Sequence, residues 1–118
     1  MKLYENNQRE LDLAQSDAEE IYTILREVVF ELQGKLEIPR PDWYHQLEGL
    51  EHNAGQLKGA LLSKSVSNAL RDLFELKNSI SRVLNFARDA LKDNPEEFNT
   101  LVRLLEKIIN LEQSLGRL

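Results

Sequence analysis

The amino-acid pattern predicts an all-α protein, a four-helix up-down-up-down bundle. One alternative joins the second and third helices as a single bent helix. Two observations carry the fold class. Apolar residues recur at alternating spacings of three and four along nearly the whole chain, the period of helices packed on helices. That rhythm breaks only at clusters of Gly, Pro, Ser and Asn, around residues 34–41, 63–67 and 93–95. A third observation narrows the class: there is no cysteine, so neither a disulfide framework nor a thiolate metal site is available.

At 118 residues the chain reads as one domain, 1–118, large enough for a core without a covalent staple. Apolar residues are 42% and charged residues 30%, an ordinary globular mix. The net charge of -5 gives no general attraction to nucleic acid or to an anionic membrane, and the basic residues form no run. The first nine residues are polar, so no secretory signal is expected. No stretch approaches the roughly 18 apolar residues of a membrane span. The expectation is a cytoplasmic protein with no cofactor and no membrane or nucleic-acid partner.

The first helix is expected to begin at Asn6 or Asn7, either of which suits a cap. Its seam is Leu11, Ala14, Ala18, Ile21, Leu25, Val28 and Leu32, with Tyr4 seven residues before Leu11. At roughly 1.5 Å per residue it spans about 40 Å. Gly34 is expected to close it as a left-handed cap. Pro39 and Pro41 then block helix propagation, and Asp42 serves as cap or first-turn acid for the next helix.

The second helix carries Trp43, Leu47, Leu50, Ala54, Leu57 and Leu61. Gly49, Gly55 and Gly59 interrupt it, each costing about 1 kcal/mol relative to Ala. Three such residues imply a close backbone approach or a less firmly ordered helix. The third helix runs from Ser65 or Ser67 to Lys92 on Val66, Ala69, Leu73, Leu76, Ile80, Val83, Ala87 and Ala90. Its polar face holds Asn68, Arg71, Glu75, Asn78, Ser79, Arg82 and Asn85. A link of Asp93 and Asn94 forces the third and fourth helices to run antiparallel. Asn94, Pro95 and Glu97 form a start signal of cap, first-turn proline and acid. The fourth seam is Phe98, Leu101, Leu104, Leu105, Ile108, Leu111 and Leu115.

No catalytic constellation emerges. His45 and His52 lie seven apart, and Asp42 precedes His45 by three, a spacing used in carboxylate-bridged metal bundles. The pattern does not recur on another helix, so both histidines read as surface residues and no metal site is expected. Arg40 and His45 resemble the arginine-to-histidine spacing of HEPN-type ribonucleases, which are small helical dimers. That resemblance implies Arg40 steadying a phosphate and His45 moving a proton. Pro41 stands where those families carry a polar residue, and the motif comes early in the chain.

Ala54, Leu57, Lys58 and Gly59, followed by Leu70 and Leu73, resemble the second core helix and turn of histidine-phosphotransfer domains. The phosphorylated histidine of that family falls at Gly55, and Ser65 stands where a glycine is usual. The resemblance implies an inactive relative that docks a receiver domain, with Gly55 and Gly59 leaving space and Lys58 supplying a charge.

Beside the helix stripes lie Tyr22, Val29, Trp43, Tyr44, Phe74, Phe86 and Ile109, expected to stay partly exposed. Trp43 and Tyr44, just after Pro41, form the leading patch, unless Trp43 plugs the end of the core. The reading is therefore a non-enzymatic helical interaction or adaptor module that binds another protein and forms a homodimer. Its candidate partner-binding residues are Trp43, Tyr44, Gly55, Lys58 and Gly59. The inactive phosphotransfer-like docking protein and the HEPN-type ribonuclease are the alternatives.

Overall fold

A computed structural model describes the backbone of residues 2–117 and the side chains of residues 8–117. Four helices follow in order: α1 (Lys2–Lys35), α2 (Asp42–Leu62), α3 (Val66–Ala87) and α4 (Pro95–Gly116). Each packs on two neighbours, α1 on α2, α2 on α3, α3 on α4 and α4 on α1. The diagonal pairs make no such approach. This is the square of an up-down-up-down bundle.

The core follows the seams read from the sequence, except that Ala90 is exposed in the turn after α3, and Leu11, Val66, Phe98 and Leu105 are half-buried at the margins. Ile21, Leu25 and Leu32 of α1, Leu47, Leu57 and Leu61 of α2, Leu73, Leu76 and Ile80 of α3, and Leu101 and Leu104 of α4 are fully buried in one cluster. The 3-and-4 spacing puts them on one stripe per helix, and burying that stripe is the main drive to assembly.

The helix ends differ from expectation in four places. First, α1 starts at Lys2 rather than Asn6 or Asn7, since Lys2 to Glu5 contains only residues compatible with a helix. The side chains of Tyr4, Asn6 and Asn7 lie outside the described residues. Second, Gly34 does not close α1, because no described glycine has positive φ. The helix passes through it to Lys35, and Leu36 N–H still donates to the Leu32 carbonyl (2.9 Å).

Third, α2 and α3 are two helices, which removes the single bent helix. Lys64 takes the left-handed conformation (φ 59°). Ser65 N–H donates to the Ala60 carbonyl (2.8 Å), and Lys64 N–H to that of Leu61 (3.1 Å). These are the two bonds of a Schellman motif, built on a lysine where glycine is usual. Fourth, α3 stops at Ala87 instead of Lys92. Residues 88–93 form turns, with Leu91 buried beneath them.

Caps are also reassigned. Pro41 caps α2, its carbonyl accepting from Tyr44 N–H (3.0 Å), and Asp42 takes the other role expected of it, the first-turn acid. Asn94 caps α4 without a side-chain bond, and Pro95 opens the helix as expected. The Glu97 carboxylate bonds Lys35 of α1 instead of closing a capping box.

Candidate functional site

The five candidate partner-binding residues do not form one surface. Trp43 and Tyr44 are buried, with 6% and 1% of their surface accessible. Pro41 starts α2 one residue before the core stripe, so both rings fold over the end of the core. The exposed aromatic patch is absent, and the alternative holds: Trp43 plugs the end of the core. Of the other flanking residues, Val29 is buried, Tyr22 and Ile109 are half-buried, and Phe74 and Phe86 are exposed.

Gly55 and Lys58 border the groove between α1 and α2. Lys58 Nζ lies 4.5 Å from the centre of the Tyr22 ring, and Arg26 Cζ lies 5.6 Å from it. The Lys58 charge is therefore engaged by an aromatic face. A Cβ at Gly55 would meet Tyr22 Cε1 at 4.0 Å, an ordinary contact. At Gly49 and Gly59 a Cβ would meet nothing within 4 Å. No close backbone approach within the chain explains the three glycines of α2.

Arg40 and His45 both lie against Tyr44. The Arg40 guanidinium is 5.4 Å from the ring centre, and its Nη2 donates to the Gln33 carbonyl (3.0 Å). Its Nε is buried without a partner among the described residues. The His45 ring meets Tyr44 edge-on at 5.6 Å, and His45 Nδ1 is 2.9 Å from Glu48 Oε1. Burial raises the Tyr44 hydroxyl above its usual range. His52 is held by Gln56 (3.2 Å) on the open face of α2. Among the described residues no group of three or more His, Cys, Asp or Glu is placed to hold a metal.

Gly59 faces the other way, into a shallow cleft between α2 and α3. Gln56, Gly59, Ala60, Ser63 and Asn68 line it with Asp72. Arg71, at its edge, donates from Nη2 to Asn68 Oδ1 (2.8 Å). Asp72 is 9% accessible and makes no hydrogen bond or ion pair among the described residues. Burial pushes its carboxyl above the usual aspartate range, and nearby Glu75 adds to the rise.

Sequence reasoning missed Asp72. Its only local signal is position: it follows Ala69 by three and precedes Leu76 by four, so it sits inside the apolar rhythm. Phe30 was also missed, an exposed aromatic on the outer face of α1.

None of the described helices is long and apolar enough to cross a membrane. Comparison with protein-family models, with curated proteins and with solved structures finds no match to this chain.

Proposed function

We propose that this chain is a non-enzymatic helical interaction module that acts by binding protein and that self-associates as a homodimer. The supporting observation is a complete core with large apolar side chains left outside it. Phe30, Phe74, Phe86 and Leu62 are exposed on helix faces that the core does not need. Aromatic residues in such positions favour contact with another protein. The -5 charge and the scattered basic residues favour protein over nucleic acid as the partner.

Two edges of α2 serve this role in the proposal. Gly59 belongs to the α2–α3 edge, and Gly55 and Lys58 to the α1–α2 edge, beside exposed Leu62. Trp43 and Tyr44 support the end of α2 from below.

Sedimentation equilibrium over a wide concentration range tests the reading. A mass rising from 13.7 kDa toward twice that value is expected. A mass of 13.7 kDa at every concentration rejects self-association.

A further inference from the structure

Three side chains on one flank of α3 lack an answer among the described residues. Asp72 is nine-tenths buried in the α2–α3 cleft, with no partner among the described residues. Arg82 is exposed and likewise makes no ion pair or hydrogen bond among them. Phe86 is 69% exposed.

They share a stripe. Asn68, Asp72, Glu75, Ser79, Arg82 and Phe86 follow one another at spacings of four, three, four, three and four. This is a second helical seam beside the core seam of α3, on the side facing α2. Asn68 and Phe86 are eighteen residues apart, five full turns, so they project the same way.

The stripe is its own complement. Asn68 and Phe86, Asp72 and Arg82, and Glu75 and Ser79 are three pairs centred on the same residue, Lys77. An antiparallel copy of α3 centred there sets acid against base and aromatic against small polar residue. No like charges face each other. A two-fold axis makes every such contact twice.

We infer that two copies associate through the α2–α3 face with their α3 helices antiparallel, the partner's Arg82 reaching Asp72 and the partner's Phe86 covering the cleft near Asn68. This rests on the self-association proposed above and names its surface. A guanidinium suits the site, because a carboxylate recessed in the cleft without a partner gains from a charge-assisted bond. Gly59 and Ser63 leave room for the aromatic ring at the Asn68 end. Two chains of charge -5 repel at a distance, and the crossed Asp72–Arg82 pairs supply local attraction at contact.

The test is sedimentation equilibrium on the full chain, comparing wild type with four variants. Phe86→Glu and Arg82→Asp are each expected to weaken the dimer by at least about tenfold. Asp72→Arg combined with Arg82→Asp restores opposite charges and should return affinity to within about threefold of wild type. Arg103→Glu, exposed on α4 away from this face, should leave it unchanged. Circular dichroism at low concentration establishes that each variant is folded.

Ser67→Cys gives an independent reading, since the chain has no other cysteine. Spin labels there should lie about 30 Å apart across the antiparallel pair, and within about 15 Å if the helices run parallel. A dimer unaffected by Phe86→Glu and Arg82→Asp, or the short label distance, overturns this surface and leaves self-association standing. A wild type that is monomeric throughout overturns both. Binding of a basic helical peptide at the Asp72 cleft by that monomer would identify the other occupant.

Discussion

Glu97 and Asp72 are both buried carboxylates, yet among the described residues one has a partner and the other has none. Glu97 opens α4 and meets Lys35 at the end of α1. That hydrogen bond holds the Glu97 carboxyl below its usual range and raises the Lys35 ammonium. Asp72 lies on the α2–α3 edge and is shifted upward by burial.

The contrast extends along the seams. Ion pairs join α4 to both neighbours, with Lys107 on Asp17 and Glu20 of α1, and Lys77 on Glu112 toward α3. Across α2 and α3 no side-chain hydrogen bond or ion pair forms among the described residues. That seam is held by apolar burial and by the Schellman turn. The lesson is that the ion pairs between helices fall on α4, while the polar groups of the α2–α3 edge bond only within their own helices or, like Asp72, not at all among the described residues.

The largest effect is expected where apolar burial acts alone. Leu76→Ala, in the fully buried stripe of α3, should cost about 2–5 kcal/mol in urea unfolding. A loss below about 1 kcal/mol would show that this seam does not depend on packing.

Glu97→Gln comes next. Its folded value lies below its unfolded value, so its stabilisation is present above the unfolded value and is lost as pH falls through the folded one. The variant should melt lower than wild type at neutral pH, and the two curves should converge in acid, below the ordinary glutamate range. Parallel curves at all pH values would break the assignment.

Asp72→Asn should have the opposite sign in the dilute monomer. Its folded value lies above its unfolded value, so ionisation costs stability above the folded value. That cost disappears as pH falls through the folded value toward the unfolded one. The variant should melt higher than wild type at neutral pH and match it in acid, while associating less. A lower melting point at neutral pH would mean that Asp72 has a partner in the monomer.

Lys77→Met should show the smallest change. It removes the bond to Glu112 (2.7 Å) and the ammonium 5.2 Å from the Phe74 ring centre. The expected loss in urea unfolding is about 0.2–1 kcal/mol, falling with added salt. A cost comparable to that of Leu76→Ala would erase the contrast between the seams.

The four seams were legible because core packing enforces the 3-and-4 rhythm on every helix. Helix ends were less so, because they answer to bonds the rhythm does not encode. Gly34 has the right residue type for a left-handed cap but sits in a helical turn, whereas Lys64 occupies the left-handed position without being glycine. The Asn94–Glu97 pattern suggests a capping box, and a tertiary partner, Lys35, takes the acid instead.

The candidate surface was read least well, because exposure depends on neighbouring helices. Trp43 and Tyr44 follow a proline, which suggested a projecting corner, and both rings close the core. Asp72 sits inside an apolar rhythm on α3, but it takes α2 to bury it. Gly59 was legible as unusual and is open on the cleft, while Gly55 and Lys58 face the α1 side.

The length of α1 has a hydrodynamic consequence. It has 34 residues against 21 or 22 in each other helix, and the molecule measures 55 × 20 × 19 Å. The radius of gyration is 15.2 Å, where a sphere-like chain of this length averages about 13.5 Å. Such a rod experiences more friction than a compact particle of equal mass. On a sizing column calibrated with round proteins, the monomer will elute ahead of its true 13.7 kDa and imitate a small oligomer.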